Sequence, residues 1–262
     1  SPDVLSLTNG GVVVTWTSYS QHDGGHFYDI QAQVYDVAGS PVGGEFRMNS
    51  TTNQDQIQPA MASLSDDGFV VAWSGDYRDG DGDNQYNIYG QRFNSSGEAQ
   101  GDEFRANVDR TYDQQQYPSV AGLENGEFVV TWEDNNAHNR STDLDHIPSA
   151  ERDNSDYAVF GQKFTTVGGD TPAPVAADSQ FQANTFTSSH QRYPDVTALK
   201  DGGYVVTWQS YGQDGDGSYY NVYGQRYDDS GTAQGDEFQI NTATSHDQER
   251  PSITVLEGGD FI

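Results

Sequence analysis

One phrase returns through this chain at a near-fixed spacing. Pro194-Asp-Val-Thr-Ala-Leu-Lys-Asp-Gly-Gly-Tyr-Val-Val-Thr-Trp208 parallels Pro2-Asp-Val-Leu-Ser-Leu-Thr-Asn-Gly-Gly-Val-Val-Val-Thr-Trp16. The pattern recurs at Pro59–Trp73 and Pro118–Trp132, and begins again at Pro251–Ile262. A second block follows each tryptophan: Tyr86–Phe93, Tyr157–Phe164, Tyr220–Tyr227 and, more loosely, Tyr28–Tyr35. A third ends in Gly-Asp-Glu-Phe-Arg-Ala-Asn107 and Gly-Asp-Glu-Phe-Gln-Ile-Asn241. The copies are 2–58, 59–117, 118–193 and 194–250, with a partial fifth at 251–262, so the period is about 57 residues and lengthens to about 76 in the third. Periods of this size belong to repeat architectures, in which one copy cannot bury its apolar surface alone and must stack on the next.

Each copy reads as four short strands. Pro-x-Val-x-x-Leu is the first, closed by Asn9-Gly-Gly or Asp201-Gly-Gly, dipeptides that favour a two-residue hairpin. Val-Val-Thr-Trp is β-branched and aromatic, the composition of a strand covered on both faces. The Tyr-Asn-Val-Tyr-Gly-Gln-Arg-Tyr block alternates with period two, and Asp228-Asp-Ser-Gly231 turns into Glu-Phe-Gln-Ile-Asn. No stretch carries a useful helical period. Four antiparallel strands per copy predict an all-β, propeller-like ring of blades, with the aromatic residues packed between neighbours. A copy supplies too few strands for a separate sandwich, and a solenoid would need shorter coils. Residues 251–262 exceed four blades. They belong to a longer ring or array, or engage a partner chain by self-association, or stand outside four blades that close without them.

Charge narrows the partners. Forty Asp and Glu face twelve Lys and Arg, a formal net charge of −28, which disfavours nucleic acid and anionic membranes. No apolar run approaches the roughly 20 residues of a bilayer span. With no cysteine there are no disulfides, thiolate metal sites or cysteine nucleophiles. A start at Ser1-Pro2 suggests a processed chain or an excerpt. Glycine (29 residues) and aromatics (12%) argue against disorder despite only 33% apolar residues.

The clearest metal candidate is Asp79-Gly-Asp81-Gly-Asp83, with Asp214-Gly-Asp216 at the same distance from the fourth copy's tryptophan. Alternating carboxylates and glycines let several oxygens reach one cation, and oxygen-only donors favour Ca²⁺. The solvated Asp-Gly turn is the competing interpretation. The third copy inserts a long loop holding His138, Arg140, Asp143, Asp145 and His146, a ligand-binding candidate or a tolerated insertion. Tyr77, Tyr211, Tyr219 and Tyr220 stand near the Asp-Gly loops and could stack on sugar rings. Asp55-Gln56, Asp113-Gln114, His190-Gln191 and Asp247-Gln248 read as ties that fix the connections between copies, with the lining of a central or inter-blade groove as the alternative.

The blocks Asp-Gly-Gly-Tyr-Val-Val-Thr-Trp, Asp-Gly-Asp-Gly and Val-Tyr-Gly-Gln-Arg-Tyr resemble tandem repeats of large secreted bacterial surface proteins, the RTX-type adhesins and hemolysin-type calcium-binding proteins. That resemblance implies a secreted or cell-surface setting rich in calcium. The glycine-rich calcium nonapeptide of true RTX tracts is absent. His-Glu-x-x-His, Gly-x-Ser-x-Gly and a phosphate loop are also missing. The expectation is therefore a non-enzymatic, calcium-binding module for adhesion or recognition of a glycan or protein ligand. Two alternatives stay open: a building block of an extracellular filament, sheath or array, and a polysaccharide-acting propeller enzyme using a carboxylate pair.

Overall fold

The computed structural model describes residues 2–19, 26–78, 84–108, 114–135, 157–166, 174–215 and 219–262. These residues form an all-β chain of antiparallel sheets, one per copy, with a 3-10 turn at Glu124–Gly126. Blade 1 is β1 (Asp3–Ser6), β2 (Val12–Tyr19), β3 (Tyr28–Tyr35) and β4 (Pro41–Arg47). Blade 2 is β5 (Gln56–Ser63), β6 (Phe69–Arg78), β7 (Asn84–Phe93) and β8 (Ala99–Arg105). Blade 3 holds β9 (Gln114–Gly122), β10 (Phe128–Asn135) and β11 (Ala158–Thr166), and its outer position is split between β12 (Pro174–Ala176) and β13 (Phe181–Gln182), both paired with β11. Blade 4 is β14 (Gln191–Ala198), β15 (Tyr204–Tyr211), β16 (Tyr220–Tyr227) and β17 (Ala233–Gln239). Residues 251–262 make a hairpin in which Thr254 and Ile262 exchange two backbone hydrogen bonds of 3.1 and 3.0 Å.

Stacking follows from the period of two. Successive side chains of a strand point to opposite faces, so Val70 enters the core between blades 2 and 3 while Val71 enters the one between blades 1 and 2. Val129 and Val130 divide in the same way. Three of the four tryptophans pack back against the preceding blade: Trp73 on blade 1, Trp132 on blade 2, Trp208 on blade 3. All three are 0% exposed. Burying one such ring removes roughly 150–250 Å² from water, at about 25 cal/mol per Å².

Two local expectations need correcting. The Gly-Gly turns are three-residue loops: Leu7 and Leu199 donate to Gly11 and Gly203, and Gly10 and Gly202 stand at φ +84° and +89°. A type I turn followed by a left-handed glycine keeps the strand twist with one extra residue. The first strands also begin ahead of proline, at Gln56, Gln114 and Gln191. Proline has no N–H to give the ladder. The strand crosses it with a register shift, seen between Ile57 and Ala60 and between Arg192 and Asp195.

Candidate functional site at the ring axis

The proline bulge determines what reaches the centre. In four consecutive copies the residue before proline adopts a left-handed backbone: Gln58 (φ 57°), Tyr117 (52°), Tyr193 (51°) and Arg250 (54°). None is glycine, and a residue before proline ordinarily prefers extended φ and ψ. Such a conformation costs on the order of 1–3 kcal/mol and persists only where the surroundings enforce it.

The enforcement comes from the preceding blade. Tyr117 donates its backbone N–H to Gln58 Oε1 (3.1 Å), Tyr193 to Glu133 Oε2 (3.2 Å) and Arg250 to Gln209 Oε1 (2.9 Å). Two residues past three of the prolines the same device recurs. Met61 N–H meets Asp3 Oδ2 (3.2 Å), Val196 N–H meets Ser119 Oγ (3.2 Å) and Ile253 N–H meets Asp195 Oδ2 (2.8 Å). Backbone donors freed by the bulge are thus satisfied across the blade junction, as buried donors must be. The Asp-Gln ties act nearby, where Asp55 and Asp247 accept the backbone N–H of Tyr28 and Tyr220, and Gln56 accepts the indole N–H of Trp73 at 2.7 Å.

All five recurring prolines line one cavity of about 530 Å³. Its other walls include Asp3 and Asp195, one step after their prolines, and Gln58, Tyr117, Tyr193 and Arg250, one step before. Burial pushes the Asp3 carboxyl above its ordinary value, and repulsion from Asp195 adds to this, against hydrogen bonds from Val4 and Met61. Asp195 accepts from Ser119 Oγ (2.7 Å) and the backbone of Val196 (3.0 Å) and Ile253 (2.8 Å). Beside the cavity, the Glu133 side chain is 1% exposed and binds Arg192 through two nitrogens at 3.0 and 3.3 Å. Burial raises its pKa and the guanidinium draws it back. Arg192 also lies 4.1 Å from the Tyr157 ring centroid and 4.8 Å from that of Tyr193. Arg250 approaches Tyr193 at 4.7 Å, and Tyr117 meets the Tyr193 ring edge-on at 4.7 Å. Two carboxylates, two tyrosines and an arginine thus share a concave axial site suited to a polar ligand.

The residues singled out from sequence lie elsewhere. Asp79, Asp81, Asp83, Asp216, His138, Arg140, Asp143 and Asp145 fall outside the described residues, as does the side chain of Tyr77. Asp214 accepts a 2.9 Å hydrogen bond from Asn221. Tyr211 packs on Tyr220, and Tyr219 on His246. None of these three lines the axial cavity. Among the described residues no group of three or more His, Cys, Asp or Glu could hold a metal ion. Sequence reasoning passed over the axial residues because it followed what the copies share. Their signal was the reverse: at the step after proline the copies read Asp3, Ala60, Ser119, Asp195 and Ser252, and at the step before, Gln58, Tyr117, Tyr193 and Arg250.

No family model and no curated protein matches the sequence. Solved structures do match by fold. The α-L-arabinanase of Penicillium chrysogenum, complexed with arabinobiose, superposes with a TM-score of 0.56 at 14% identity, covering 98% of this chain and 69% of that one. The GH93 α-L-arabinofuranosidase of Fusarium graminearum, also with arabinobiose, gives 0.53 at 14%, covering 98% and 68%. A Dyadobacter fermentans protein of unknown function gives 0.54 at 11%, covering 88% and 65%. At such identities the likeness establishes the β-propeller fold. It also corrects three expectations: the RTX-type resemblance, the non-enzymatic assignment and the calcium-binding adhesin built on them. The fold's solved neighbours include glycoside hydrolases rather than RTX repeats, and repeated blade-core residues misled because any stacked four-stranded blade favours them.

Proposed function

We propose that this chain acts on a polysaccharide, cleaving a glycosidic bond at the axial cavity. The observation that carries the reading is the placement of Asp3 and Asp195 on one cavity wall system, with Asp3 held toward its protonated form by burial and by its neighbour's charge. Glycoside hydrolysis calls for this asymmetry: one carboxylic acid that keeps its proton and one carboxylate. Asp3 donates a proton to the leaving glycosidic oxygen. Asp195 takes a proton from the water that forms the new bond to the anomeric carbon as the old C–O bond breaks, so the proton lost by Asp3 is matched by the one Asp195 gains. Gln58, Tyr117 and Arg250 supply hydrogen-bonding groups around the ring. The fold likeness to arabinan-acting enzymes makes arabinose-containing polymers the first substrates to test.

The test is reducing-sugar release from arabinan and a panel of other polysaccharides, by wild type, Asp3→Asn and Asp195→Asn. The expected result is turnover by wild type, reduced by a factor of about 10² or more in each variant. Equal turnover by Asp3→Asn and wild type would remove Asp3 from the chemistry, and glycan binding with no cleavage anywhere in the panel would overturn the reading.

A further inference from the structure

One cation lining the cavity, Arg250, stands outside every salt bridge among the described residues. Two guanidinium groups, Arg192 and Arg250, converge on the ring of Tyr193 at 4.8 and 4.7 Å. Glu133 engages them unequally: it takes two guanidinium nitrogens of Arg192 and the Tyr193 backbone N–H, while the Arg250 charge acts on it only through space. Arg250 makes no salt bridge among the described residues. Acidic residues outnumber basic ones by 40 to 12 in this chain, so a carboxylate neighbour would be the ordinary outcome for an arginine. This one is held over a tyrosine by a strained backbone (φ 54°) and lines the cavity instead.

From this we infer that Arg250, seated on Tyr193 beside Tyr117, is a subsite for a carboxylate-bearing sugar, so that the polysaccharide acted on contains uronate units. The inference rests on the axial cavity being the glycan site and narrows its substrate class. Guanidinium matches carboxylate through two parallel hydrogen bonds, a geometry lysine cannot reproduce. The overall charge of −28 does not forbid an anionic ligand. At physiological ionic strength, charges beyond about 8 Å are largely screened, so the nearby groups decide: Glu133 takes up Arg192, which leaves Arg250 as the cation open to a ligand in a cavity that also holds Asp3 and Asp195. Asp3 and Asp195 lie on the far side of the prolines from Arg250 in sequence, two residues along each strand.

The experiment is calorimetric titration of the whole chain at about 0.15 M salt with tri-galacturonate and with its carboxyl-reduced galactose trimer. Wild type should bind the uronate trimer more tightly. Arg250→Gln should erase that preference by weakening uronate binding about 10- to 100-fold, the worth of a charge-assisted hydrogen bond, and Arg250→Lys should restore part of it. Equal wild-type affinities for the two trimers overturn the inference even if the variants fail to fold, as does uronate binding unmoved by Arg250→Gln. Uronate binding without product release supports the subsite while the hydrolytic reading fails. Cleavage of arabinan with no uronate preference does the opposite.

Discussion

Two neighbouring strands of a blade have been held to opposite standards. The second strand is nearly the same in copies two to four: Phe69-Val-Val-Ala-Trp73, Phe128-Val-Val-Thr-Trp132 and Tyr204-Val-Val-Thr-Trp208 lie in extended strands, and their Phe/Tyr, Val and Trp side chains are 0% exposed. Hydrogen-bonded beside it, the first strand carries a bulge, a left-handed residue and side chains that change from copy to copy. The difference teaches where stability and chemistry reside. Stacking requires similar wedge surfaces, so the second strand varies little from copy to copy. At the axis, five copies converge on one space, and variety among them is what gives that space an asymmetric chemistry.

The sharpest way to break this contrast is Trp132→Ala. It should cost about 3–5 kcal/mol by removing a buried ring between two blades, read by urea denaturation. Trp16→Ala should cost markedly less, because Trp16 is half-buried. Next comes Arg192→Ala, which leaves Glu133 buried without its counter-charge and should lower stability by about 3 kcal/mol. Asp195→Ala strips Ile253 N–H of its acceptor and should cost about 1–3 kcal/mol together with turnover. A pH profile is subtler. Asp3 keeps its proton to a higher pH in the folded chain than in the unfolded one, so its contribution to stability is greatest in acid. That contribution is lost as pH rises from about 3.8, the ordinary aspartate value, through the raised folded value. Catalysis that depends on protonated Asp3 should fall over the same window, and Asp3→Asn should flatten the stability profile there. Smallest, and opposite in sign, is Arg250→Gly: relief of the left-handed backbone should stabilise the fold by about 1 kcal/mol, measured as a raised melting temperature.

What was legible in the sequence was the frame. Recurrence of Val-Val-Thr-Trp announced stacked four-stranded sheets because burial on two faces demands that composition. The bulge was visible in part: a proline inside an otherwise regular strand had to break the ladder, yet nothing in Gln58 or Tyr193 marks a positive φ, since that conformation is imposed by the preceding blade's Gln, Glu or Asp. The axial carboxylates were hidden for a related reason. Asp3 and Asp195 look like turn-forming aspartates in one dimension, and only the stacking of successive blades about a common cavity brings residues so far apart in sequence together. The Asp-Gly loops drew attention because local spacing is readable, whereas convergence at an axis is not.

The division of Val70 and Val71 between two cores has a consequence for how such a molecule comes into being. The segment that duplicates in a genome is one copy, but the object that resists denaturation is the join between copies. Inheritance and cohesion therefore have different boundaries. A new copy arrives already bearing both mating surfaces, and its inner edge is at liberty to acquire a different residue while the outer faces keep the assembly in register.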